Sequence, residues 1–384
     1  MSIIIPTFFY VWYKFRAMDL KIGVERNIHF GSQVFSTIGE VYLFDGSDPK
    51  APWRLPRDLD LLVVRSNVRV DEDFLRPFTN LKAILSPTIG LDHIDSKALV
   101  TLQKRLSRRI PVINAPGSTA SGVGDYVAGA VLYLLDEGIV PSECTVGIWG
   151  YGNCGKAAAR RLQALGCRTR AFDPPLEDFT EGRWQSVDLS ELLQSDIITL
   201  HVPLTFRNES PWPTYRMIDR RILEVLKGKV LINTSRGGVI DERELERSLL
   251  RRELVAVIDV YEHEPTPSRI LVKEAFVATP HIAGSIRQGK LRAVQYVYEK
   301  ACNLLGLQPI FNFRLASERL RSPYRIRSVP LTRAAKDVLR RAIDLPELSR
   351  HFRSNYLASE EPGITFQFLR LRGMRDEILW PWEE

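Results

Sequence analysis

Three side chains in the second half of the chain could together take the hydroxyl proton of a hydroxy acid and hold its carboxylate while a hydride leaves. They are Arg236, Glu264 and His281. Each follows a short apolar run, in Asn233-Thr234-Ser235-Arg236-Gly237-Gly238, Asp259-Val260-Tyr261-Glu262-His263-Glu264-Pro265 and Thr279-Pro280-His281-Ile282-Ala283-Gly284. Such an oxidation needs a base for the hydroxyl proton, a cation for the carboxylate, and a neighbour that orients the base and sets its protonation. A histidine beside a glutamate supplies base and neighbour, and an arginine supplies the cation. Taken singly, each residue has a plainer use: a structural histidine, a solvated arginine, a glutamate at a helix start. On successive strand ends they acquire a common direction, because ligands of parallel sheets bind beyond the carboxyl ends of the strands.

A hydride also needs an acceptor. The run Gly150-Tyr151-Gly152-Asn153-Cys154-Gly155 follows the apolar Thr145–Trp149 and precedes a helical stretch. The first glycine permits a tight turn, the second lets backbone N–H groups approach a pyrophosphate, and the third lets the helix lie close to the sheet. The phosphates then meet the positive end of the helix dipole. Asp173 stands 18 residues beyond the last glycine, at the end of the next apolar run, and no arginine directly follows it. A carboxylate there accepts hydrogen bonds from a ribose and repels a 2′-phosphate. NAD is therefore the expected cofactor.

The elements that must carry these residues are legible as short apolar runs separated by helical patterns. The runs are 20–24, 61–64, 83–85, 112–113, 145–149, 169–172, 197–200, 230–232, 254–258 and 276–278. Strands alternating with helices imply parallel sheets joined by crossovers, and uniformly apolar runs suit strands covered on both faces. The expectation is an α/β chain with two Rossmann-like doubly wound domains and a small α+β C-terminal domain. Residues 18–117 with 283–308 would form a substrate domain, 118–282 the nucleotide-binding domain, and 309–384 the C-terminal domain. In that last stretch the apolar 364–371 shows strand alternation in part.

Composition sets outer limits. With 384 residues, 45% hydrophobic and 26% charged, the chain is ordinary globular sequence. The four cysteines, Cys144, Cys154, Cys167 and Cys302, form no CxxC pair and no metal spacing. They read as free thiols in a reducing cytoplasm, and no metal is expected. The net charge is +7, and between Arg314 and Arg341 nine basic residues face two acidic ones. No nucleic-acid motif or aromatic stacking pattern accompanies them, so a solvated helix face or a patch toward an anionic substrate is expected. Residues 1–17 are apolar but too short to span a bilayer and contain Pro6; their basic residues follow the apolar part, the reverse of a secretory signal. They read as an extension outside the fold, with no membrane partner.

Taken in order, these motifs, with Gly90–Asp95, Asn114-Ala115-Pro116-Gly117 and His201-Val202-Pro203-Leu204, resemble the D-isomer-specific 2-hydroxyacid dehydrogenases over roughly residues 20–305. The resemblance implies catalytic roles for Arg236, Glu264 and His281. It implies cofactor contacts at Gly150, Gly152, Asn153, Cys154, Gly155, Asp173, Val202, Thr234, Ser235, Arg236, Asp259 and Gly284. Val63-Val64-Arg65-Ser66, Phe172-Asp173-Pro174-Pro175 and Arg353-Ser354-Asn355-Tyr356-Leu357 are similar to one branch of the family. That branch acts on a small phosphorylated 2-hydroxy acid and forms a homodimer through a C-terminal extension. Substrate contacts then fall to Arg65, Ser66, Thr88 and Ser285. Ser285 replaces a tyrosine common in the branch, Asp125 a glutamate, and Ser118-Thr119-Ala120 a run that commonly has an asparagine. Two alternatives stand beside this reading: a dehydrogenase of another hydroxy acid (3-phosphoglycerate, or glycerate/hydroxypyruvate), and an NADH-sensing corepressor-like binding protein.

Overall fold

A computed structural model describes residues 20–382. The apolar segment 1–17 lies outside the described residues. The chain divides into two compact units, one running up to Ser118 and including Lys290–Arg321, the other comprising Thr119–Gly289 and the chain from Ser322 onward.

The first unit is built on five parallel strands: β1 (Lys21–Glu25), β2 (Glu40–Phe44), β3 (Leu61–Val63), β4 (Ala83–Ser86) and β5 (Val112–Asn114). Their order is β2-β1-β3-β4-β5. β3 and β4 are buried along their whole length, as their apolar runs 61–63 and 83–85 suit strands covered on both faces. β2 has no counterpart among the expected runs. It lies at the sheet edge; its apolar run Val41–Phe44 is largely exposed or half-buried, unlike those of the inner strands.

The second unit holds six parallel strands: β6 (Thr145–Trp149), β7 (Arg168–Phe172), β8 (Ile197–Leu200), β9 (Val230–Asn233), β10 (Val255–Ile258) and β11 (Val277–Ala278). The order β11-β10-β9-β8-β6-β7 reverses direction between β6 and β8, where Val146 pairs Ile197 and Trp149 pairs Leu200. That reversal opens a crevice at the carboxyl ends of β6 and β8, the place where doubly wound sheets bind nucleotides. The helix Asn153–Ala164 leaves β6 and turns Ala158, Ala159 and Leu162 toward the sheet. The longer helix Ala120–Asp136 packs beside it. Asp125 and Arg161 join these two helices in a fully buried ion pair at 2.5 Å.

The C-terminal stretch departs from the expected α+β module. Among the described residues from 309 onward there are four helices, Phe313–Arg319, Arg333–Ala342, Leu345–Ala358 and Pro362–Arg372, with isolated bridges and no named strand. The run 364–371 is helical: Phe366 and Leu369, three residues apart, are buried on one helical face. Nor do these helices form a core of their own. Ile326, Leu339, Leu345, Ile378 and Trp380 complete one core cluster of the second unit, and Phe352, Tyr356, Phe366 and Leu369 complete another. The Arg353–Leu357 motif sits at this junction. Arg353 donates to the Val272 and Ala275 carbonyls, and the Tyr356 hydroxyl to the Pro267 carbonyl. The basic stretch is partly paired, with Arg340 gripping both carboxylate oxygens of Asp136 at 2.7 Å.

Candidate active site

The glycine loop is shaped for a phosphate. Gly150 has φ +93°, the left-handed region that favours glycine, and a Cβ there would lie 2.7 Å from the His201 carbonyl. A Cβ on Gly155 would lie 2.1 Å from the Gly150 carbonyl oxygen, so only glycine lets the helix start so close to the turn. Beside Gly152, in contrast, a Cβ would meet open space. Gly152 caps the helix without a side-chain hydrogen bond, and Asn153 is exposed. The first N–H groups of a helix lack intrahelical partners, so this end offers donors to an anion. The residues fit a dinucleotide.

Other expected cofactor residues surround the loop. Asp173 accepts from Tyr151 N–H at 2.7 Å and from Leu176 N–H at 3.0 Å. It thereby ties the loop to the end of β7 as well as offering a carboxylate. Val202 follows β8, and its Cγ1 would touch a Cβ on Gly150. Ser235 is buried, with its N–H and hydroxyl donating to Asn233 Oδ1. The buried Thr234 hydroxyl has no hydrogen-bond partner among the described residues, the kind of group that a bound ligand could satisfy. Burial pushes the Cys154 thiol up to about 11, although the Arg236 charge acts on it in the opposite sense. Cys154 is thus an unreactive neighbour, and Arg236 lies within electrostatic reach of the glycine loop.

The structure brings Glu264 and His281 together. His281 Nδ1 lies 2.8 and 3.0 Å from the two Glu264 carboxylate oxygens. Burial alone would push the Glu264 carboxyl up; the charge and hydrogen bond of His281, joined by the Arg370 guanidinium and the Tyr261 N–H, hold it below its ordinary value. His281 itself adopts φ +57°, an uncommon conformation for a side-chain-bearing residue. It is over-determined by its surroundings. Its N–H donates to the Asp259 carbonyl at 2.8 Å, while the Asp259 carboxylate accepts from Thr279 Oγ1, Ile282 N–H and Ala283 N–H at 2.6–2.9 Å. Asp259 is fully buried, and its carboxylate serves the chain that carries His281. Sequence reading assigned it only a cofactor contact.

Arg236 follows β9, with its guanidinium donating to the Ser235 carbonyl at 2.8 Å. Its carbonyl accepts from Asn233 Nδ2. Gly284 and Ser285 close the loop beyond His281, where Ser285 N–H donates to the Ile282 carbonyl and Ser285 O accepts from Arg375 N–H. The remaining candidates belong to the first unit. Arg65 and Ser66 follow β3, and Thr88 follows β4, again at carboxyl ends of a parallel sheet. The Thr88 hydroxyl donates to the Gly90 carbonyl and lies 2.7 Å from Ser86 Oγ. Among the described residues no group of three or more His, Cys, Asp or Glu is placed to hold a metal, and no helix is long and apolar enough to cross a membrane. Sequence reading missed Arg370, which lies 3.6 Å from Glu264 Oε2; it lies in a stretch expected to be a separate module.

Comparison with known proteins agrees with this geometry. Residues 136–283 match the model of the D-isomer specific 2-hydroxyacid dehydrogenase NAD binding domain. An erythronate-4-phosphate dehydrogenase of Shewanella amazonensis is 37% identical over 341 residues, 88% of each chain. One from Wigglesworthia glossinidia brevipalpis is 36% identical over 75% of this chain and 74% of its own. Among solved structures, an NAD+-bound 3-phosphoglycerate dehydrogenase of Entamoeba histolytica superposes with a TM-score of 0.62 and 25% identity, over 76% of this chain and 98% of that one. With a nucleotide-binding loop at the reversal of a doubly wound sheet and a glutamate–histidine pair on neighbouring strand ends, this chain belongs to the D-isomer-specific 2-hydroxyacid dehydrogenases and is an NAD-dependent oxidoreductase.

Proposed function

We propose that the chain oxidises 4-phospho-D-erythronate to 3-hydroxy-2-oxo-4-phosphobutanoate, a step of pyridoxal 5′-phosphate biosynthesis. The observation that carries the chemistry is the Glu264–His281 pair, Nδ1 to carboxylate at 2.8 Å. The substrate assignment rests on relatives named erythronate-4-phosphate dehydrogenase at 35–37% identity.

Because Nδ1 faces Glu264, Nε2 is the imidazole nitrogen left to face substrate. His281 Nε2 removes the proton of the 2-hydroxyl while the hydride leaves the same carbon, and Glu264 offsets the charge gained by the ring. NAD supplies the hydride acceptor when bound. Arg236 holds the substrate carboxylate. The Gly150–Gly155 loop and the helix start after Gly152 receive the pyrophosphate, and Asp173 receives the adenosine ribose. Arg65, Ser66 and Thr88 serve the phosphorylated end, with Ser285 at the position of the tyrosine common in the branch. Residues from 309 onward would also carry the homodimer contact.

A substrate panel at fixed NAD tests the assignment. The expected result is a kcat/KM for 4-phospho-D-erythronate well above those for 3-phosphoglycerate and glycerate. Efficient turnover of one of the latter, with no NADH from 4-phospho-D-erythronate, would reassign the chain to another hydroxy acid.

A further inference from the structure

The C-terminal segment touches Glu264 and the loop that follows His281, although it comes roughly 90 to 110 residues later in the chain. Arg370, in the last turn of helix Pro362–Arg372, places Nη1 3.6 Å from Glu264 Oε2; both side chains are largely buried, at 18% and 20% exposure. Five residues later, Arg375 grips the loop that carries His281. Its N–H donates to the Ser285 carbonyl at 2.9 Å, its own carbonyl accepts from Arg287 N–H at 3.0 Å, and its Nη2 donates to the Ala283 carbonyl at 2.7 Å. Between them, a Cβ on Gly373 would lie 2.5 Å from Ile282 Cγ2, so the segment runs close against the loop. The buried face of the helix, Phe366 and Leu369, fixes its rotation from the other side. Arg370 is thus held in register from both directions, and its charge is delivered to Glu264 by packing.

We propose that Arg370 is a positioning residue for the acid–base pair, holding the Glu264 carboxylate in the orientation and charge state that present His281 Nε2 to the substrate hydroxyl. This rests on Glu264–His281 being the acid–base pair. A guanidinium is suited to the role because it stays charged, and at 3.6 Å it acts on the carboxylate as an ion-pair partner. At this distance and burial, a cation also opposes protonation of the pair it faces. Other ionisable groups within electrostatic reach of the pair are Asp259, beside His281, and Tyr261 and Glu242, near Glu264; burial pushes Glu242 up to about 7. All three remain in an Arg370 variant, so a difference from the parent isolates the arginine.

The sign follows from charge. Removing the cation lets the pair keep its proton to higher pH, and oxidation requires that proton to be absent. In R370Q the acid limb of kcat/KM for 4-phospho-D-erythronate moves up by about one pH unit, kcat at neutral pH falls about tenfold, and KM for NAD is unchanged. R370K, which restores the charge, returns the limb to the parental position. R370M, which keeps the apolar stem, replaces R370Q should that variant not fold. Three results overturn the proposal: a parental kcat and limb in R370Q, a rise in KM for the hydroxy acid with an unmoved limb, or the failure of both neutral variants to fold. H281A measured alongside separates the two levels of the reading. A fully active H281A refutes the acid–base pair itself, whereas a dead H281A with a parental R370Q refutes only the role of Arg370.

Discussion

Asp259 shows how a single carboxylate can fix the backbone turn that carries a candidate base. His281 sits at φ +57°, a conformation with a cost on the order of 1–3 kcal/mol for a residue with a side chain. Three donors converge on the Asp259 carboxylate from the turn that enforces it. In D259N one oxygen becomes an amide NH2 that faces a backbone N–H, that of Ile282 or of Ala283. We expect that variant to lose roughly 1–3 kcal/mol of stability, read by urea titration, and to lose kcat more steeply than NADH affinity. Unchanged kcat would show that the turn holds itself. At this scale the pairing of Glu264 with His281 was legible because chemistry restricts which residue types can serve. Asp259 and Arg370 were less so: the first has a tertiary duty that no local pattern marks, and the second arrives from a distant helix.

At the scale of elements, the strand–loop–helix around Gly150–Gly155 shows the tightest fit between sequence and structure. β6 is buried at all five positions, and the helix begins against the turn at a distance only glycine allows. G155A would place a methyl 2.1 Å from the Gly150 carbonyl, so helix and turn must separate. The expected outcome is a rise in the Kd for NADH of at least about tenfold, measured by calorimetry, with a smaller loss of thermal stability. Parental affinity would mean that the loop can shift without cost. The inner strands were readable because burial on both faces demands continuous apolar runs. The edge strand β2 escaped although its Val41–Phe44 is a continuous apolar run as well, and the helical 364–371 was mistaken because a short apolar run fits either period.

Across the whole molecule, the chain from Ser322 onward is part of the second unit's core. Trp380 is fully buried, stacks on Trp382, and donates its indole N–H to Asp125, which also pairs with Arg161 and accepts Ile378 N–H. The aspartate at 125 therefore has its own set of partners here. W380A removes a large buried ring and one donor to Asp125, and should cost about 3–5 kcal/mol in a chemical denaturation experiment. A loss under about 1 kcal/mol, the scale of a surface change, would contradict the integration of this segment. Composition and charge located the C-terminal change in character but not its docking, which depends on contacts between residues 78 to 255 positions apart in sequence.

The central claim is that His281, oriented by Glu264, takes the substrate proton as hydride leaves. Single-turnover NADH formation from 4-phospho-D-erythronate, compared between parent and H281A at saturating NAD, tests it most directly. The account predicts a rate at least about 100-fold lower in H281A, with NADH binding by the same sample unchanged. An H281A rate equal to the parent's would contradict it.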